Sequence, residues 1–125
     1  MKVVAFNGSP KKDGNTAILL QKVLSELERE GIDTEIVHIG GQKVHGCTAC
    51  MKCMENQDRK CVFDDDFVNN CIRKMEEADG IIIGSSNWNL GLGLEPGDVE
   101  NDVEGMQTMQ TLGINMAWIL KKIHR

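Results

Sequence analysis

Three short stretches of the sequence predict β-strands. The first, residues 2–6, stops abruptly at Asn7-Gly8-Ser9-Pro10, as a buried parallel strand does where it enters a turn. Residues 34–39 alternate loosely between apolar and polar side chains and predict a second strand. Residues 80–85 contain three consecutive isoleucines, and they predict the clearest buried strand of the chain.

Apolar side chains at helical spacing predict three helices. The first follows residue 16 and is followed by Gly31, because glycine readily adopts the left-handed conformation that terminates a helix. The second follows Asp64-Asp65-Asp66, whose carboxylates are expected to cap it. The third closes the chain and contains Gly113, which costs about 1 kcal/mol relative to alanine, so we expect a compensating close approach to the sheet. The positions predicted to face the core are Leu20, Val23, Leu24 and Leu27 in the first helix, Val68, Cys71, Ile72 and Met75 in the second, and Met106, Met109, Leu112, Gly113, Met116, Ala117, Leu120 and Ile123 in the third.

Strands and helices alternate along the first 85 residues, which is the order of a doubly wound parallel α/β sheet. We therefore expect an α/β fold with three recognisable strands and a single domain over residues 1–125. Residues 86–104 are rich in glycine and acidic side chains and have no periodicity. They are predicted to form a loop.

The composition favours a folded, soluble domain. Hydrophobic residues make up 41% and charged residues 26% of the 125 residues, which excludes a disordered chain. The net charge of −5 comes without a basic stripe, which argues against nucleic acid as the main partner. No apolar run is longer than five residues, and the N-terminus does not resemble a secretory signal. We therefore expect no membrane span and a cytoplasmic location.

The loop after the first strand is a candidate phosphate site. Residues 8–16 join a strand to a helix, and such a loop presents backbone N–H groups at the positive end of the helix. It is not a triphosphate-binding loop, because five residues separate Gly8 from Gly14 and Asn15 stands where that motif has lysine; the dinucleotide motif is absent too. Two interpretations of the loop remain: it binds a single phosphate group, or it is an ordinary turn with a helix cap. The side-chain donors available are Ser9, Asn15, Thr16 and either Lys11 or Lys12.

Four of the five cysteines fall within fifteen residues, as Cys47, Cys50, Cys53 and Cys61. In a reducing cytosol such a cluster indicates a metal or redox site more than a set of disulfides. The compact spacing favours a cubane iron–sulfur cluster, because structural zinc usually takes two separated pairs of ligands. Zinc, free thiols and a disulfide stay as alternatives. Cys71 lies at an inward helix position and is predicted to be a buried core thiol.

The glycine motifs resemble those of a known family. Gly8-Ser9-Pro10 followed by Gly14-Asn15-Thr16 after a first strand is similar to the FMN phosphate loop of the NADPH-dependent FMN reductases, and Gly84-Ser85 matches the start of their second flavin loop. The resemblance covers nearly all of residues 1–85 and implies a flavodoxin-like fold. The residues that it implies for FMN binding are Gly8, Ser9, Lys11, Gly14, Asn15, Thr16 and Ser85.

The cysteine motif resembles that of the iron–sulfur flavoproteins, a branch of the same group. This resemblance implies an oxidoreductase that carries electrons between NAD(P)H or a ferredoxin and an acceptor through FMN and a 4Fe-4S cluster, in a homo-oligomer. The alternative is a non-enzymatic zinc- or cluster-binding module with a vestigial flavin site. No catalytic side chain is predicted, and His38, His45 and His124 are interpreted as structural or solvated. The implied cluster ligands are Cys47, Cys50, Cys53 and Cys61.

The chain departs from the family after its third strand. A flavodoxin-like sheet has five strands in the order 2-1-3-4-5, whereas three are recognisable here, with a cysteine loop at residues 46–62 and a C-terminal tail and helix at residues 86–125. The chain therefore resembles the family with a central segment missing. We expect the third strand to be an apolar edge that aggregates or pairs with another chain.

Ser86-Asn87 stands where the family has a proline and an aromatic residue, so we expect weak FMN retention unless a partner chain completes the site. Trp88 is a candidate for stacking on the flavin or for burial at an interface.

Overall fold

Three β-strands, four α-helices and one 3-10 helix make up the computed structural model, which describes residues 1–85 and 95–124. The elements are β1 (Lys2–Asn7), α1 (Asn15–Arg29), β2 (Asp33–His38), α2 (Lys52–Asn56), α3 (Val68–Glu76), β3 (Gly80–Gly84), the 3-10 helix (Asp98–Asn101) and α4 (Val103–Ile123).

The three strands form one parallel sheet in the order β2-β1-β3. β1 lies in the centre because its residues are apolar on both faces, and Val3, Val4 and Ala5 have no exposed surface. In the register of the sheet, Asn7 lies between His38 of β2 and Gly84 of β3. The predicted α/β architecture is confirmed, and the strand order is that of the first three strands of a flavodoxin-like fold.

Each face of the sheet has its own apolar cluster. On one face Val3 and Ala5 pack against α1 and α4. On the other face Val4, Phe6 and Val37 form a smaller cluster that α3 partly covers. The sheet thus has helices on both faces, as a doubly wound fold requires.

The ends of the first two predicted helices agree with the structure. Gly31 follows α1 with φ of 76°, and its N–H donates to the carbonyl of Glu28 at 2.9 Å. At the start of α3, the carboxylate of Asp66 accepts a hydrogen bond from the N–H of Val68 at 2.9 Å. The capping role predicted for the aspartate run therefore falls to its last member.

The inward face predicted for α3 is only half right. Cys71 and Met75 pack against the sheet cluster, whereas Val68 and Ile72 line a cavity on the side of the cysteine loop. α3 lies between two apolar surfaces, so its stripe of apolar residues is divided between them.

The stripe predicted for α4 is correct at its centre and wrong at its margins. Met109, Gly113, Ala117 and Leu120 are buried, but Leu112 and Ile123 are 45% and 67% exposed. The close approach at Gly113 is to α1 rather than to the sheet, because α4 packs on α1. A Cβ atom added at Gly113 would lie 2.6 Å from the carbonyl oxygen of Val23.

The loop predicted for residues 86–104 is wrong over its last part. Residues 98–101 form a 3-10 helix whose Val99 is buried in the core. α4 already begins at Val103, because the carboxylate of Asp102 accepts a hydrogen bond from the N–H of Gly105 at 2.9 Å. Ser86-Asn87 and Trp88 lie outside the described residues.

Within residues 1–85 and 95–124, β3 pairs only with β1 and forms an edge of the sheet. Ile81 is 43% exposed and Ile83 is 71% exposed on this strand. In the described part of the chain the predicted strand is therefore present as an apolar edge, and the prediction that it is buried is wrong because no described element covers Ile81 and Ile83. None of the described helices combines the length and the apolar character needed to cross a membrane.

Candidate functional site

The loop between β1 and α1 is folded by its own polar side chains. Asn7 is fully buried, and its side chain accepts from the N–H of Ser9 at 3.0 Å and donates to the carbonyl of Lys12 at 3.2 Å. The hydroxyl of Ser9 accepts from the N–H of Lys11 at 3.3 Å. Gly8 donates its N–H to the carbonyl of Gly84 at 2.8 Å, which joins the loop to the end of β3.

The end of β2 supports the same loop. The Nε2 atom of His38 lies 2.9 Å from the carbonyl oxygen of Ser9. A Cβ atom at Gly40 would lie 1.9 Å from that oxygen, so only glycine permits this approach. The carboxyl ends of all three strands therefore meet around Gly8 and Ser9, and ligands of open α/β sheets bind at such an edge.

The amino end of α1 is suited to an anion. Its N-cap residue, Gly14, has no side chain to cap the helix, and the first turn carries no acidic residue. Backbone N–H groups at this end carry partial positive charge and remain as donors. Thr16, predicted to contribute its hydroxyl, is 4% exposed.

The side chain of Asn15 is engaged elsewhere. Its amide nitrogen donates to the carbonyl of Glu95 at 2.9 Å, and its oxygen accepts from the N–H of Gly97 at 2.8 Å. It therefore joins α1 to the turn that precedes the 3-10 helix. Of the other predicted flavin residues, Lys11 and Ser85 are exposed. Ser85 follows Gly84 directly, which places it next to Gly8.

The four clustered cysteines share one cavity of about 680 Å³. All five cysteines of the chain are free thiols, and Cys61 is partly buried whereas the other three cavity cysteines are exposed. The N–H of Ala49 donates to the sulfur of Cys47 at 3.4 Å. The apolar side chains that share the cavity with these sulfurs are Met51, Met54, Val62, Phe63, Val68 and Ile72.

The thiols do not converge on one centre in this conformation. Among the described residues, no group of three or more His, Cys, Asp or Glu side chains is arranged to hold a metal ion. The cavity brings the predicted ligands to one surface, and the cluster site stays a prediction.

The backbone of the cysteine loop is strained. Ala49, Met51, Gln57 and Arg59 have φ between 51° and 61°, and the described chain has no other non-glycine residue with positive φ. Each such residue costs about 1–3 kcal/mol, and such residues cluster at ligand-binding sites. All four lie between Cys47 and Cys61, and Met51 and Gln57 are the residues that flank the start and the end of α2.

The two ends of the cysteine loop are held together by Asp66. Its nearly buried carboxylate accepts from the backbone N–H of His45 at 2.8 Å and contacts the Nδ1 atom of the same residue at 3.0 Å. The N–H groups of Val68 and His45 hold the pKa of Asp66 below its ordinary value. Sequence reasoning identified Asp66 only as a helix cap, because its partner His45 is 21 residues away.

Cys71 is separate from this cavity, as predicted. It packs against the cluster of Val4, Phe6 and Val37, although it is partly rather than fully buried. Burial raises the pKa of the Cys71 thiol. This residue has the character of a core thiol.

Comparison with known proteins identifies the family. A sequence profile of the family described as NADPH-dependent FMN reductase matches residues 1–92. The chain belongs to this family. An iron–sulfur flavoprotein of Methanocaldococcus jannaschii is 41% identical over 85 residues, which are 68% of this chain and 42% of that protein.

Two further relatives of this chain carry the same description. An iron–sulfur flavoprotein of Archaeoglobus fulgidus is 38% identical over 92 residues, covering 74% of this chain and 40% of the relative. An iron–sulfur flavoprotein of Methanosarcina thermophila is 36% identical over 85 residues, which cover 68% of this chain and 43% of the relative. The chain thus spans about two fifths of the length of the relatives it matches. No solved structure matches it significantly.

Proposed function

We propose that this protein is an iron–sulfur flavoprotein that transfers electrons between NAD(P)H or a ferredoxin and an acceptor through FMN and a 4Fe-4S cluster. The observation that carries the proposal is the cavity lined by all four clustered cysteines, in a chain that belongs to a flavin reductase family. We place it in the cytoplasm, where reducing conditions keep such thiols free.

The β1–α1 loop fits the phosphate of FMN. The first turn of α1 carries no acidic side chain that would repel an anion, and Lys11 adds an exposed positive charge. Ser9 is held in place from two strands, by Asn7 and by His38. We assign the phosphate to the backbone N–H groups at the amino end of α1, with Ser9, Lys11 and Thr16 beside it and Ser85 towards the ring.

The side chain of Asn15 takes a different part in this proposal. Because its amide is already bonded to residues 95 and 97, it contributes its backbone N–H to the phosphate and its side chain to the shape of the site. When bound, FMN supplies the exchange between two-electron and one-electron transfer.

The cysteine cavity fits an iron–sulfur cluster in its donor chemistry. Four soft thiols on one short loop suit iron–sulfur clusters and copper(I) or zinc better than hard cations. The N–H of Ala49 already lies against the sulfur of Cys47, and such N–H groups stabilise thiolates. We assign the cluster to Cys47, Cys50, Cys53 and Cys61.

Metal content tests the cluster. Protein purified without oxygen is analysed for iron, sulfide and zinc and by its visible spectrum. We expect iron and sulfide in equal amounts with broad absorbance that dithionite bleaches. Cys53→Ser should lose this absorbance, and Cys71→Ser, outside the cavity, should keep it. Zinc without iron would instead support the non-enzymatic metal-binding alternative.

A comparison of FMN with riboflavin tests the flavin site. Riboflavin lacks the phosphate, so we expect it to bind at least roughly tenfold more weakly, since charge-assisted hydrogen bonds are worth about 1.5–3 kcal/mol. Fluorescence titration measures both ligands, and reduction of bound FMN by NADH, NADPH and reduced ferredoxin identifies the donor. Equal binding of the two flavins would contradict a phosphate site in this loop.

A further inference from the structure

α3 contacts the cysteine loop at one of the four thiol-bearing residues. The N–H of Cys61 donates to the side-chain oxygen of Asn69 at 2.7 Å, and the side-chain nitrogen of Asn69 donates to the carbonyl of Cys61 at 3.0 Å. A single side chain thus satisfies both backbone polar groups of Cys61. This two-point contact fixes the backbone on both sides of its Cα atom.

The same amide nitrogen reaches two further acceptors of the loop. It lies 3.2 Å from the carbonyl of Phe63 and 3.0 Å from a carboxylate oxygen of Asp64. The segment from Cys61 to Asp64 therefore folds around Asn69. α3 in turn packs on the sheet through Cys71 and Met75. Through Asn69, the backbone of Cys61 is therefore connected to the packed core of the fold.

Cys61 needs such support more than the other cavity cysteines. Seven residues separate it from Cys53, and the stretch contains Gln57 and Arg59 in left-handed conformation. The short helix α2 ends at Asn56, so no regular element precedes Cys61 directly. Its position in the cavity depends on a contact from outside the loop.

We propose that Asn69 is a positioning residue for the cluster site, because its amide holds the backbone of Cys61 so that the fourth thiol faces the cavity shared with Cys47, Cys50 and Cys53. This inference rests on the proposed function for the identity of the ligand. It concerns the contact between Asn69 and Cys61 itself. Residues that orient metal ligands in this way typically change metal affinity 10- to 100-fold when they are replaced.

Three variants separate the contributions of the amide. Asn69→Leu removes both contacts to Cys61. Asn69→Asp keeps an acceptor for the N–H of Cys61 but loses the donor to its carbonyl. Asn70→Leu is the matched control, because Asn70 is the neighbouring residue of α3 and its side-chain oxygen has no partner among the described residues. Far-UV circular dichroism and thermal melting establish that each variant is folded.

The first measurement is the rate at which an iron chelator removes the cluster from protein reconstituted with iron and sulfide. We expect Asn69→Leu to lose the cluster at least roughly tenfold faster than the wild type, Asn69→Asp to be intermediate, and Asn70→Leu to match the wild type. Equal rates for folded Asn69→Leu and Asn70→Leu would overturn the proposal.

The second measurement is hydrogen exchange of the Cys61 amide in protein without iron. We expect faster exchange in Asn69→Leu and a smaller increase in Asn69→Asp, which keeps the acceptor but sets a second carboxylate beside Asp64. Unchanged exchange in Asn69→Leu would overturn the proposal. If the wild type itself takes up no iron, the proposed function fails, and exchange at Cys61 alone then decides whether Asn69 positions this residue.

Discussion

His38 and Ser9 join the ends of two neighbouring strands, because the Nε2 atom of the histidine lies 2.9 Å from the serine carbonyl oxygen. The carbonyl can only accept, so Nε2 carries a proton in this contact. The ring at the end of β2 thereby holds the turn that follows β1. A residue interpreted from the sequence as merely structural or solvated supports the candidate phosphate loop.

His38→Ala should weaken FMN binding roughly fivefold, since the net contribution of one hydrogen bond is about 1 kcal/mol. The loop would keep its contacts to Asn7 but lose the one from β2. Fluorescence titration with FMN measures the effect. His124→Ala is the control, because His124 contacts Asp79 at 3.1 Å, away from the loop. The same affinity for both variants would show that His38 does not order the loop.

Gly113→Ala should destabilise the protein although alanine is the better helix former. The added Cβ atom would lie 2.6 Å from the carbonyl oxygen of Val23 and 2.9 Å from the Cβ atom of Glu26, so α4 would have to move away from α1. Overpacking of this kind costs about 1–3 kcal/mol. Urea denaturation measures the free energy of unfolding. Asn115→Ala, at an exposed position of α4, serves as the control and should be neutral or slightly stabilising. A stabilising effect of Gly113→Ala would contradict the close packing of α4 on α1.

Glu35 should make the stability of the sheet depend on pH. It forms an ion pair with Lys2 at 2.8 Å and another with Lys74, and the hydrogen bonds from Lys2 and then Lys74 lower the pKa of Glu35 below its ordinary value of 4.5. A carboxylate with a lowered pKa in the folded state stabilises the protein above its unfolded pKa, and this contribution is lost as the pH falls through the folded pKa.

The test compares the wild type with Glu35→Gln in urea between about pH 3 and pH 7. We expect a difference in unfolding free energy of about 1 kcal/mol or less near neutral pH, as for partly exposed ion pairs, and a decrease of that difference below pH 4.5. Lys74→Met, which removes one of the two partners, should show a smaller pH dependence than the wild type. Parallel curves for wild type and Glu35→Gln would exclude a coupled carboxylate.

Ile83→Lys should reduce self-association. Ile83 is 71% exposed on β3, which pairs only with β1 among the described residues, and an unprotected apolar edge favours pairing with another chain. Sedimentation velocity should find a dimer or larger species for the wild type and a smaller species for Ile83→Lys. Ile114→Lys, at an exposed position of α4, is the control for added charge. An unchanged mass distribution in Ile83→Lys would place any interface elsewhere.

The order of the strands and of the longer helices could be predicted because it depends on neighbouring residues, whereas the short α2 and the 3-10 helix were not predicted. The apolar runs of β1 and β3, the helical spacing of α1 and the glycine after it are local patterns, and each agrees with the structure. The alternation of strands and helices predicted the parallel sheet, and the order β2-β1-β3 agrees with the flavodoxin-like fold that the family resemblance implied. The compact spacing of the cysteines predicted one metal site; the four residues line one cavity, and the metal site itself stays a prediction.

What the sequence could not reveal is which distant residues meet. Asn7, His38 and Gly84 come together only because the parallel register aligns them, and the contact of Asn69 with Cys61 requires the loop to fold back on α3. Periodicity identifies an apolar stripe but not the surface that covers it. For this reason the placement of Val68 and Ile72 against the cavity and the packing of Gly113 on α1 were decided by the tertiary structure.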